Sequence, residues 1–199
     1  MSFKELLGKK MLFFDGATGT QLQARGLQPG ELPESWNFTH PEIVEAVHRG
    51  YLDVGSNIVK SNTFGANPIK LKGSGLDCKT TIEAAVAIAK RACGSRENKF
   101  VALNLGPTGK LLAPYGDLPF EDAVAAYGEM VRYGAAAGAD FVAEYFAGAA
   151  AKHENLSLFR LCYTNELFSS CCQLLSYLHI CFHCCSTSFL FIFRNARIV

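Results

Sequence analysis

Met11-Leu12-Phe13-Phe14-Asp15-Gly16-Ala17-Thr18-Gly19-Thr20-Gln21 begins as an apolar run, stops at a carboxylate and continues in small polar residues. Met11 to Phe14 reads as a strand buried on both faces, the habit of parallel strands. Gly16 and Gly19 let the backbone turn sharply and lie close to a small molecule. Asp15 then stands at the strand's C-terminal end, where α/β proteins gather their chemistry. Taken alone, an Asp before Gly most often caps its own turn through an Asx hydrogen bond, the favoured reading of Asp15 from this stretch by itself. A phosphate cradle is the weaker reading, because the stretch has neither Gly-x-Gly-x-x-Gly nor a lysine.

The same rhythm recurs downstream. A Pro- and Gly-punctuated loop, Gly26 to Glu34, leads to a helix with Thr39 as N-cap, Pro41 and Glu42 in its first turn and Ile43, Val44, Val47 and Tyr51 as its apolar stripe. It ends near Gly55, and Asn57 to Lys60 forms a second short strand running into Ser61-Asn62-Thr63-Phe64-Gly65. An Ala-rich helix over Thr80 to Cys93 opens with a capping box, Thr80 to Glu83, and closes at Gly94. The third strand is Phe100 to Leu105, the third helix Phe120 to Ala137 with Gly138 as its stop, and the fourth strand Phe141 to Ala143, reaching Glu144. Strands alternating with helices predict an α/β fold with a parallel sheet. Polar residues recur at one end of each strand, at Asp15, Ser61 to Thr63, Asn104 and Glu144, and predict a pocket on a shared rim.

The chain has 199 residues, enough for one core but short of the ~250 of a complete eight-stranded α/β barrel. A net charge of +1 excludes an electrostatic nucleic-acid binder and suits a small neutral or zwitterionic ligand. The N-terminus lacks a signal-peptide pattern, which predicts a cytoplasmic protein. Of eight cysteines, six crowd between Cys162 and Cys185. Past Glu154 there is no glycine or proline, and the turn punctuation of a barrel stops. Residues 1–150 therefore read as the first half of a barrel and 151–199 as a divergent hydrophobic tail that is not a domain. The tail's Phe, Leu, Ser and Cys share thymine-rich codons, the mark of translated non-coding or out-of-frame sequence, so the chain is read as truncated. Two other readings of the tail are weaker. Cys171 to Phe193 has the length of a membrane span but carries Gln173, serines and two histidines. His179, Cys181, His183, Cys184 and Cys185 are potential soft-metal ligands without the paired spacing of a zinc finger.

Four motifs in order, Asp15-Gly-Ala-Thr-Gly-Thr20, Trp36-Asn-Phe-Thr-His-Pro41, Lys60-Ser-Asn-Thr-Phe-Gly-Ala-Asn67 and Asn104-Leu-Gly-Pro-Thr-Gly109, resemble the homocysteine S-methyltransferase family. The likeness is nearest the branch that forms the N-terminal barrel of cobalamin-dependent methionine synthase, while Glu144-Tyr-Phe146 looks more like the betaine-using branch. The resemblance implies a (β/α)8 barrel of TIM type, of which about the first four strands are present. It implies methyl transfer to the homocysteine thiol, giving methionine, with homocysteine at the strand C-termini. By matching motifs, Asp15, Ser61, Thr63 and Glu144 become the substrate contacts: carboxylates for the ammonium, and backbone N–H groups around Thr63 for the carboxylate. The family further implies zinc, which holds the substrate sulfur as a thiolate. Its three cysteine ligands have no counterparts here, since Cys171-Cys172 and Cys184-Cys185 lack the surrounding glycines and preceding strand. No metal ligand or catalytic residue is carried over, and the chain is expected to be inactive alone. The methyl donor, whether methylcobalamin, methyltetrahydrofolate or betaine, is not encoded in these residues. The remaining alternatives are a non-catalytic homocysteine- or partner-binding fragment, completed by a second polypeptide, and a membrane-tethered fragment.

Overall fold

The computed structural model describes residues 3–6, 8–144 and 160–162. Its centre is a sheet in the order β1 (Ile58–Lys60), β2 (Phe100–Leu105), β3 (Phe141–Glu144) and β4 (Arg160–Cys162). β1 pairs parallel with β2, Ile58 opposite Phe100, and β2 parallel with β3, Ala102 opposite Phe141. The crossovers are helical: α6 (Cys78–Cys93) joins β1 to β2 and α7 (Phe120–Ala136) joins β2 to β3. β4 pairs with β3 in the antiparallel sense, Ala143 opposite Leu161, so it does not continue the parallel series. Among the described residues the sheet is not closed into a barrel.

The strand layer is buried on both faces because its residues alternate between two cores. Ile58, Phe100, Ala102, Phe141 and Ala143 face one side, where α1 (Phe3–Leu6) inserts Phe3 and Leu6. Phe3 stacks on Phe141 with ring centroids 4.2 Å apart and meets Phe100 edge-on. Val59, Val101, Leu103, Leu105 and Val142 face the other side, against Ile82, Val86 and Ala89 of α6 and Met130 of α7. Full burial of each large side chain contributes about 1.5–3 kcal/mol. A third cluster joins Leu22, Trp36 and the stripe of α4 (Pro41–Asp53), Val44 and Val47, to Ile88 of α6.

The opening stretch differs from its sequence reading. Phe14 makes a single parallel bridge to Ile58 rather than a full strand. Around it, Asn57 substitutes its side chain for part of the ladder, its Oδ1 accepting from Phe13 N at 3.2 Å, while Asp15 N donates to Ile58 O at 2.8 Å. Burial on both faces is also corrected: Leu12 and Phe14 pack on the inner core, but Met11 and Phe13 are 42% and 38% exposed. The segment is an edge with one neighbour among the described residues, so its outward side chains stay uncovered.

Two predicted caps move by a residue or more. Thr39 is the last residue of a short helix, α3 (Trp36–Thr39), and His40 is the cap of α4. Pro41 forces this, because the residue before proline is driven out of helical geometry, and His40 lies outside the helical region at φ −141° and ψ 50°. α6 starts at Cys78 rather than Thr80, since Asp77 Oδ1 accepts from Thr80 N at 2.9 Å and takes the capping role. The stops at Gly94 and Gly138 hold, with φ of +56° and +89° that side chains with a Cβ rarely adopt. Two further short helices, α2 (Thr18–Gln23) and α5 (Pro68–Leu71), complete the described elements besides a 3-10 turn at Pro33–Ser35. The tail readings, from the cysteine pairs to Cys171–Phe193, lie outside the described residues.

Candidate functional site

The loops leaving the parallel layer bring together the predicted residues of the first three strand ends. Lys60 is the inward-facing end of β1, two residues after Ile58, and the chain then turns through Ser61, Asn62 and Thr63, all buried. Ser61 and Thr63 do not stand free. Asn104 N donates to Ser61 Oγ at 3.2 Å, the two hydroxyls lie 2.8 Å apart, and Thr63 Oγ1 donates to Asn104 O at 2.8 Å. With each hydroxyl holding one hydrogen, the direction is fixed: Asn104 N–H to Ser61, Ser61 to Thr63, Thr63 to Asn104 C=O. The ring closes on itself and ties the end of β1 to the end of β2.

Asp15 is buried beside Lys60. Its Oδ2 accepts from Lys60 N at 2.9 Å and its Oδ1 lies 2.8 Å from Lys60 Nζ. The same Nζ reaches the carbonyl oxygens of Asp15 at 3.0 Å and Gly16 at 3.4 Å. Burial raises the Asp15 carboxyl above its ordinary value, against the pull of Lys60. Tyr51 closes the outer side of this turn, donating to Ala17 O at 3.2 Å.

The backbone N–H groups assigned to a carboxylate are partly engaged. Thr63 N donates to Ser61 O at 2.8 Å, and Gly65 N donates to Glu34 Oε1. Glu34 is 2% exposed, reached from a loop that Asn62 also holds, donating to Pro33 O at 2.7 Å and to Asn37 Oδ1 at 3.0 Å. Two buried acceptors near these loops lack a hydrogen-bond partner among the described residues: Asn104 Oδ1 and Glu34 Oε2. Such atoms cost about 1–3 kcal/mol when left unmet, and they mark where a ligand's N–H would be welcome. Glu144 ends β3 with its backbone opposite Leu105.

Sequence reasoning missed Lys60 and Glu34. The alternation Ile58-Val59-Lys60 already puts Lys60 on the inner face with Ile58, a signal that a strand assignment contains. Glu34, in a turn 31 residues before its partner Gly65, has no such signal.

The residues do not fit a soft metal ion. Among the described residues no three His, Cys, Asp or Glu side chains converge. Cys78 and Cys93, the two ends of α6, are both buried, and burial pushes the Cys78 thiol up to about 12, the opposite of what a thiolate ligand needs. Among the described residues no helix is long and apolar enough to cross a membrane.

The homocysteine S-methyltransferase family profile matches residues 12–147. The chain is 34% identical over 121 residues to methionine synthase of Mycobacterium tuberculosis, covering 54% of this chain and 10% of that protein. It is 39% identical over 71 residues to methionine synthase of Mycobacterium leprae, covering 32% of this chain and 6% of that one. Among solved structures it resembles the metallated form of the homocysteine methyltransferase MmuM from Escherichia coli, with a TM-score of 0.62 and 25% identity over 71% of this chain and 56% of MmuM. The chain thus spans a small fraction of the methionine synthases and about half of MmuM.

Proposed function

Because this chain belongs to the homocysteine S-methyltransferase family, we propose that residues 1–150 form the amino-acid-binding half of such a site and that residues 151–199 are not a domain of their own. The ligand is homocysteine, and the reaction of the complete site is transfer of a methyl group to its thiol. Asp15 and Glu144 receive the ammonium, and the loop held by Ser61 and Thr63 receives the carboxylate. The observation that carries this reading is the succession of Asp15, the Ser61–Thr63–Asn104 ring and Glu144 along one end of a single strand layer.

The chain alone binds but does not turn over. Among the described residues there is no thiolate set for zinc, and in this reading a complementing polypeptide supplies the sulfur-activating half. The uncovered edge at Met11 and Phe13 favours such a partner, since open strand edges recruit other chains. With this reading goes the cytoplasmic location inferred from sequence. Calorimetry with L-homocysteine under reducing conditions tests it, with saturable binding expected. Methylation of homocysteine by the purified chain with stoichiometric zinc would overturn the claim of inactivity, and absence of binding would overturn the site.

A further inference from the structure

We propose that Lys60 is a built-in occupant of the ammonium position at Asp15, which a ligand's amino group must displace to bind. The inference rests on the reading of Asp15 as an ammonium acceptor. Its own support is the surroundings of Lys60 Nζ: a carboxylate oxygen at 2.8 Å and two backbone carbonyl oxygens at 3.0 and 3.4 Å. A carboxylate and two carbonyls around one primary ammonium is the recognition chemistry of an α-amino group, here satisfied by the chain itself.

The Asp15 carboxylate cannot turn away to serve both cations. Its backbone is held by the bond from Asp15 N to Ile58 O, and its second oxygen by Lys60 N at 2.9 Å. The two side chains are 9% and 0% exposed for Lys60 and Asp15, so there is no solvated face at which a second ammonium could approach. Lys60 can leave where Asp15 cannot, because its ammonium sits on a flexible four-carbon stem. Occupied by its own lysine, the site is a fraction of the time open, and apparent affinity falls by that fraction. The selection is chemical: only a ligand that brings its own ammonium can replace the one expelled without leaving a buried carboxylate unpaired.

The test compares wild type with Lys60→Met, which keeps the stem and removes the charge, in mildly alkaline reducing buffer. Three probes divide the ligand: L-homocysteine, homocysteamine, which lacks the carboxylate, and γ-mercaptobutyrate, which lacks the ammonium. Lys60→Met is expected to bind the two amines about tenfold or more tighter and to leave γ-mercaptobutyrate unchanged. Amine affinities equal to or weaker than wild type overturn the inference. Because the substitution leaves Asp15 without its partner and risks unfolding, a second measurement uses the unaltered chain. Acetylation footprinting should find Lys60 protected in the free protein and reactive when saturated with homocysteine; protection that persists at saturation overturns the inference while leaving homocysteine binding itself intact. Failure of wild type and variant alike to bind any amine removes the reading of Asp15 on which the inference stands.

Discussion

Gly106 passes so close to Phe64 that a methyl group at position 106 would collide with the Phe64 carbonyl oxygen and stand 2.7 Å from its ring. The loop after β1 thus crosses directly over the residue that follows β2, and Tyr127 of α7 donates to Gly106 O at 3.1 Å from the other side. Because the obstructing atom belongs to backbone, Gly106→Ala should cost at least the upper part of the 1–3 kcal/mol typical of overpacking. Urea denaturation followed by the fluorescence of Trp36, the chain's one tryptophan, measures it. A loss below half a kcal/mol would mean that the loops are not so closely seated.

The hydroxyl ring makes a paired prediction. Thr63→Val removes the donor to Asn104 O and the acceptor of Ser61, both buried, and should destabilise by about 1–3 kcal/mol while abolishing homocysteine binding. Thr63→Ser keeps the hydroxyl and should retain most of both. Equal stability of the Val and Ser variants would show that the ring carries no energy.

Glu34 offers a separate contrast. Glu34→Gln keeps an acceptor for Gly65 N, whereas Glu34→Ala leaves that buried N–H unmet. The Ala variant should lose about 1–3 kcal/mol in the same urea assay, and the Gln variant less than half as much.

How far these residues were legible depends on the range of the interaction that fixes them. Phe100–Leu105 appears in the sequence with its observed bounds because five apolar residues and Asn104 stand between Lys99 and Gly106 and need only local burial. The caps fall at His40 rather than Thr39 and at Asp77 rather than Thr80 because the first is set by Pro41 and the second by which side chain reaches the third amide of the helix. The opening strand was over-read because an apolar run shows that burial is available, not whether a neighbour lies on both sides. The strand end singles out Asp15 but not its partner: Lys60 is 45 residues away, and no local pattern encodes that pair.

Acid should reveal His48. The residue is fully buried on α4, neither ring nitrogen has a hydrogen-bond partner among the described residues, and burial lowers its pKa to about 4. In the unfolded chain it titrates near the ordinary value of about 6.5. Between those values the unfolded state binds the extra proton, so stability present above about pH 6.5 is lost as pH falls towards 4. The loss is on the order of 3 kcal/mol. His48→Leu should flatten this slope in melts across the range, and an unchanged slope would assign the acid sensitivity elsewhere.

Phe3 and Phe141 stack at the floor of the strand layer, although nearly the whole described chain separates them. On a ribosome adding residues from the N-terminus, Phe3 is made first and its docking surface on β3 only after β1 and β2. For most of synthesis the leading segment has nowhere to go, and Leu6 and Phe100 wait with it. The N-terminal residues are therefore a latch that closes only after β3 has emerged, and a fusion placed there would burden the last step of folding rather than the first.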